Sequence, residues 1–297
     1  MVALARRISR LRTVQYTLYG DWLELLRPFL SACNEHRVEE VIVYESPTLR
    51  NVQPLAILAQ NLHSLALCHN ANLVDLAPLS GLCQLRSLDI GFTRVSNLAP
   101  LGAMTRLEKL NVSRTGVRDL RALDPLKQLK ELRMCDTSVS DLGVLSGMRA
   151  LSLLDARSTP LVSIGALRDL PSLAHLNISF TSVSDLSPLS GKTSLVHMWA
   201  HNTAVDSISA LAGMTKLAHL YIDRTNVTDL SSLADCRALE VLIIGMGGIS
   251  SVNRVVNLAT LAQCNALTKL IIHHYGGDLE LAGCIGTRAR VIVRSSF

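Results

Sequence analysis

Three histidines, His175, His197 and His219, stand 22 residues apart. Imidazole is both a common metal ligand and the side chain that titrates nearest neutral pH, so a row of three invites metal binding or a pH-sensitive contact. Their neighbours sharpen the choice. The first set is His175, Asn177 and Phe180; the second is His197, Trp199, His201 and Asn202; the third is His219, Tyr221, Asp223 and Arg224. Side chains rising from one ladder point in parallel rather than converging on a tetrahedral centre, and no Cys or carboxylate completes the set, so no metal is expected. One of only two Trp in the chain lies here beside Tyr and Arg, framed by polar groups. That is the composition of a protein-binding hot spot.

Other chemistry finds little support in the residues. GxSxG, P-loop and HExxH motifs are absent, as are paired carboxylates at a distinctive spacing, so neither a catalytic residue nor a cofactor is expected. Gly245, Gly247 and Gly248 lack the GxGxxG spacing and read as a loosened turn. Asp119, Asp141, Asp185 and Asp229 form one column, each just before a core Leu, and read as Asx-type caps rather than catalytic carboxylates. Seven Cys are scattered without a CxxC, which suggests neither a zinc ribbon nor a disulfide framework, and most read as small apolar core residues in a reducing compartment.

What positions these residues is a repeat. Leu85-Arg-Ser-Leu88-Asp-Ile90-Gly-Phe-Thr93-Arg-Val95 is answered by Leu107-Glu-Lys-Leu110-Asn-Val112-Ser-Arg-Thr115-Gly-Val117, and the register continues from Leu129, Leu151, Leu173, Leu195 and Leu217. Looser copies begin at Val38, Leu62, Leu239 and Leu267. Each LxL alternates with period 2, which is a short strand, and the following LxxLxxL half returns as a short helical or 3₁₀ turn. Residues 1–37 do not repeat. Asp21 as N-cap and Trp22, Leu25, Leu26 and Phe29 at helical spacing predict a helix that caps the array.

This pattern resembles the leucine-rich repeat family in its short, Sds22-like and internalin-like class, over roughly residues 38–296. The resemblance implies an α/β solenoid: a horseshoe with a parallel sheet on its concave face and 3₁₀ turns on its convex face. The family's usual Asn at the ninth repeat position is replaced by Thr93, Thr115, Thr137, Thr159, Thr181, Thr203 and Thr225. A Thr hydroxyl is expected to bond neighbouring backbone there.

The chain has 297 residues, 48% hydrophobic and 4% aromatic, with 54 Leu. It can therefore bury a sizeable core, and no apolar run approaches the roughly 18 residues of a membrane span. The net charge of +5 sits at the ends: Arg6, Arg7, Arg10 and Arg12 near one, Arg288, Arg290 and Arg294 near the other. The N-terminal Arg-rich stretch is similar to a mitochondrial presequence and equally suits a docking arm for RNA or an acidic partner; an intracellular, cytoplasmic location is the expectation.

The expected function is protein–protein recognition by a non-catalytic adaptor or complex subunit, with the partner held on the concave face around Trp199 and Tyr221. The alternatives are a ribonucleoprotein component whose Arg-rich ends touch phosphate, and, by resemblance alone, a phosphatase-regulator-like protein. No membrane and no small-molecule substrate are expected.

Overall fold

A parallel strand cannot meet its successor without a return crossing, and this chain makes the crossing with one short turn per repeat. The computed structural model describes residues 13–17, 27–35, 37–46, 48–246, 257–274 and 289–295. The chain folds as two compact units, residues 1–151 and 152–297.

The first unit carries strands β1 (Thr13–Thr17), β2 (Glu40–Tyr44), β3 (Ser64–Ala66), β4 (Ser87–Asp89), β5 (Lys109–Asn111) and β6 (Glu131–Arg133), each parallel to the next. The strand partners Ser87, Lys109 and Glu131 lie 22 residues apart. Helix α1 (Arg27–Glu35) buries Leu30 and Cys33 and packs on the 3₁₀ turn Gln53–Leu58. Phe29 lies in α1, whereas Asp21, Trp22, Leu25 and Leu26 lie outside the described residues.

The second unit carries β7 (Leu153–Asp155), β8 (His175–Asn177), β9 (His197–Trp199), β10 (His219–Thr225), β11 (Val241–Met246), β12 (Lys269–His274) and β13 (Arg290–Ser295), again parallel and consecutive. Gly245 belongs to β11, paired with Asp223 and His273, so it is not part of a loosened turn. A Cβ there would strike the Cβ and carbonyl of His273, which accounts for the glycine. Gly247 and Gly248 lie outside the described residues.

In each unit the leucines that open the repeats, with those 3 and 16 residues further on, fill that unit's core; Leu107, Leu110 and Leu123, or Leu173, Leu176 and Leu189, are at most 2% exposed. Burying one such side chain contributes about 1.5–3 kcal/mol. Between strands run 3₁₀ turns such as Arg121–Leu123 and Ser187–Leu189. The aspartates cap them as expected: the backbone N–H groups of Arg121, Gly143, Ser187 and Ser231 donate to Asp119, Asp141, Asp185 and Asp229 at 2.7–2.9 Å. Among the described residues no helix is long and apolar enough to cross a membrane.

The corner after each strand is left-handed. Glu45, His69, Phe92, Arg114 and Asp136 in the first unit, and Ser158, Phe180, Asn202 and Arg224 in the second, all have φ between 49° and 61°. None is glycine, although for an L-residue this conformation costs roughly 1–2 kcal/mol. The threonine that follows closes the corner, donating its hydroxyl to the carbonyl three residues back, as in Thr93 to Ile90 at 2.7 Å and Thr203 to Ala200 at 2.7 Å. One copy keeps Asn at this place. The Asn70 amide donates to Val43 and Leu67 and accepts from the Ser46 N–H, so it ties two successive repeats together. Each Thr hydroxyl donates within its own corner; the shorter side chain thus performs only part of what the Asn does.

Lys192 is the outlier of the core. It is 5% exposed and occupies the slot held elsewhere by Met104, Met148 and Met214. Its ammonium donates to the carbonyls of Arg168 and Leu170 at 2.8 and 3.1 Å, and desolvation holds its pKa below the ordinary value.

Thermal unfolding checks both positions. Ser158→Gly should raise the thermal midpoint by relieving the left-handed corner, a gain of about 0.5–1 kcal/mol after the greater freedom of the unfolded chain is counted. Ser158→Val should lower it. Lys192→Met should be neutral or stabilising by about 1–3 kcal/mol, because the slot already accepts Met and a buried charge is removed.

Candidate functional site

The outward residues of β8, β9 and β10 stand in columns set by the parallel register. His175, His197 and His219 are mutual partners along the sheet, and Trp199 pairs with Tyr221. The imidazole centroids of His175 and His197 are 4.8 Å apart and those of His197 and His219 are 4.4 Å apart, the latter stacked. Trp199 stacks on Tyr221 with centroids 5.7 Å apart and ring planes 16° from parallel. All five rings are half-buried. Stacked aromatic pairs contribute about 0.5–1.5 kcal/mol beyond area burial.

The remaining predicted residues gather around this block. Asn177 follows His175 on β8, and its side chain caps the Ser179 N–H at 3.1 Å. Phe180 is 44% exposed in the left-handed corner after β8 and meets the His201 ring edge-on at 5.1 Å. Asn202 takes the next corner; Asp223 and Arg224 continue β10. The basic ends do not join the site. Arg6, Arg7, Arg10, Arg12 and Arg288 lie outside the described residues, while Arg290 and Arg294 lie on β13, three strands from β10.

Two features of the face are not evident from the 22-residue spacing. Trp199 and Tyr221 begin an apolar row that continues in register through Ile243, Ile271 and Ile292. The 28-residue repeat from Leu239 hides this continuation from a count by 22s. Ser179, His201 and Asp223 also share a column, with the Ser179 hydroxyl 2.9 Å from His201 Nδ1. The residue types are those of a hydrolytic triad, yet Ser179 is 0% exposed and no hydrogen bond joins His201 to Asp223. A buried hydroxyl cannot reach a substrate carbonyl, so this pair fixes the orientation of His201. Among the described residues no three His, Cys, Asp or Glu side chains are grouped to hold a metal.

Charge is used differently in the first unit. Glu108 accepts from Arg86 and Lys130, each at 2.7 Å, and these two hydrogen bonds hold its pKa below the ordinary value. Lys109 pairs with Glu131 at 2.7 Å. That face neutralises itself. The cysteines divide: Cys33, Cys236 and Cys264 are buried, with desolvation pushing their thiols up to about 11, about 12 and about 11, but Cys83 is exposed and Cys68 and Cys135 are half-buried.

His197 and His201 have lowered pKa values, in each case chiefly because burial disfavours the cation; His219 and His175 add to the effect at His197. Their neutral forms are therefore favoured by folding. The unfolded chain binds the extra protons, so this contribution is complete above an unfolded pKa of about 6.5 and is lost as pH falls through the lower folded values. Thermal midpoints should drop between pH 7.5 and 5, and the drop should be smaller in His201→Asn. An equal drop in both proteins would remove His201 from the account.

No family model matches the sequence, and no curated protein matches it. Solved structures do. An internalin of Listeria monocytogenes aligns over 94% of this chain and 95% of its own, with a TM-score of 0.68 and 21% identity. A leucine-rich repeat protein of Leptospira interrogans aligns over 100% of this chain and 86% of its own, with a TM-score of 0.70 and 12% identity. The plant peptide hormone receptor RGFR1, solved in complex with RGF2, aligns over 91% of this chain and 46% of its own, with a TM-score of 0.65 and 16% identity. At such identities the likeness is one of fold. Parallel strands joined by regular 3₁₀ turns, with the likeness to these structures, give the chain a leucine-rich repeat fold.

Proposed function

We propose that this protein is a non-catalytic recognition module, an adaptor or a subunit of a larger assembly, that holds a polypeptide partner against the outward face of β8–β10. The observation that supports this is the stacked Trp199–Tyr221 pair. The two rings hold each other rigidly by one face apiece, while the indole N–H and the phenol hydroxyl make no hydrogen bond among the described residues. Rigid aromatic side chains with unused donors, set among His, Asn and Arg, suit backbone carbonyls and side-chain acceptors of a protein. A peptide hormone receptor of the same fold, solved in complex with RGF2, lends the reading support.

Affinity capture from the protein's own cells tests it. Trp199→Ala combined with Tyr221→Ala should abolish recovery of partner proteins, a loss of at least about 2 kcal/mol in binding, while far-ultraviolet circular dichroism stays unchanged. Partners retained by the folded double variant would refute the site. Recovery of RNA that disappears steeply with salt would favour the ribonucleoprotein alternative.

A further inference from the structure

Within the histidine row the closest polar contact joins two ring nitrogens. His175 Nδ1 and His197 Nδ1 are 3.0 Å apart. Two ring nitrogens approach so closely only when one carries a hydrogen and the other offers its lone pair. The neutral pair therefore has one ring protonated at Nδ1 and the other at Nε2. A single additional proton, taken at the free Nε2 of the donor ring, leaves the contact intact and makes it charge-assisted. A second would place hydrogens on both Nδ1 atoms and break it. The geometry gives this pair room for one positive charge and no more.

Among the described residues the carboxylate that acts on this row is Glu240, which stands beside His219 rather than beside the His175–His197 contact. On the outward face β7 presents Leu153 in the same column and Asp155 in the next, and Asp155 forms no ion pair with either histidine. From β10 comes His219, whose Nε2 lies 3.7 Å from Glu240, a carboxylate 58% exposed. On β11 the column continues with Val241, and beyond it on β12 with Lys269. Asp223, Arg157 and Arg224 act on His201 instead. Burial and the two flanking imidazoles disfavour the cation at His197, and Glu240 offsets them only in part. The Trp199 and Tyr221 donors beside the pair are unused by the described residues as well.

Unused donors and a site for one cation, with Glu240 at the far end of the row as the carboxylate acting on it, call for the same ligand chemistry, a second carboxylate beside the His175–His197 contact. We propose that the partner segment is acidic, that one of its carboxylates seats on the His175–His197 pair beside Trp199, and that each binding event takes up one proton from water. This rests on the reading of β8–β10 as the partner-binding face and adds the partner's chemistry to it. A proton bound by the complex but not by the free protein makes affinity rise as pH falls, by about tenfold per pH unit across the window between the free and bound proton affinities of the pair.

The test uses the full chain and a labelled eight-residue peptide of alternating Glu and Leu, with its Gln–Leu counterpart, read by fluorescence anisotropy at pH 7.5, 6.5 and 5.5. The Glu peptide should bind about tenfold more tightly at pH 5.5 than at 6.5, and at pH 5.5 at least tenfold more tightly than the Gln peptide. His175→Gln with His197→Gln should flatten the pH dependence and keep a residual affinity. Should that variant fail to fold, the imidazole resonances of the unaltered protein at pH 6.5 serve instead: one ring of the pair should shift to its cationic position when the Glu peptide is added. Equal affinity for the two peptides, no binding at pH 5.5, a flat profile in the unaltered protein, or a slope that survives the histidine changes would overturn the proposal. So would oligouridylate binding more tightly than the Glu peptide, or self-association that excludes it. Binding that Trp199→Ala and Tyr221→Ala abolish but pH leaves unchanged would sink only the proton-linked carboxylate; binding indifferent to both pairs of changes would sink the site itself.

Discussion

Every column on the sheet depends on the chain returning to the same backbone conformation at each repeat, and the corner that enforces the return is a left-handed residue locked by a threonine hydroxyl. Without the Oγ bond to the carbonyl three residues back, the left-handed residue would have little to offset its steric cost. Without the left-handed residue the strand would run straight on, and the next leucine would miss the core. The hydroxyl and the carbonyl are both buried, so each would carry a desolvation penalty if the other were removed. A local hydrogen bond thus sets long-range order: it fixes where the next strand begins, and hence which side chain stands beside His197 or Trp199.

The register that builds the core also builds the surface. Strand pairing puts His175, His197 and His219 in a row for the same reason that it aligns Leu176, Met198 and Leu220 beneath them. The outward side chains had to find an arrangement compatible with such close spacing, and they found it in ring stacking and in one nitrogen–nitrogen hydrogen bond. In the first unit the same spacing is satisfied by alternating charge, Arg86 with Glu108 and Lys109 with Glu131. The two faces solve one packing problem with different chemistry. The charged solution uses its donors internally, whereas the aromatic one keeps an indole N–H and a phenol hydroxyl in reserve.

Much of this was legible in the sequence because the period is strict. The strands, the aspartate caps and the histidine row all follow from a count of 22. The left-handed corner was not legible: Glu45, His69, Phe92 and Ser158 share no chemistry, and the backbone alone makes them alike. Lys192 was missed because a lysine in an apolar slot looks like an interruption of the pattern, when its methylenes fill the slot and its ammonium finds two carbonyls. The Ser179–His201 contact and the isoleucine row needed register, and in the irregular 28-residue repeat register comes only from strand pairing. The aromatic residues do cluster as their shared columns implied. Their internal stacking depends on side-chain torsions that no spacing encodes.

The threonine-locked corner also bears on how such a chain can acquire its structure. Because paired strands lie between 21 and 28 residues apart, and mostly 22, the loop closed in adding a repeat hardly varies in length. The entropy of closing it is on the order of 3 kcal/mol whether the repeat is added early or late. Order can then spread from any well-formed repeat to its neighbours, with no contact that must wait for distant parts of the chain. The slowest step should be the first pair of repeats, before any partner exists to template the next strand.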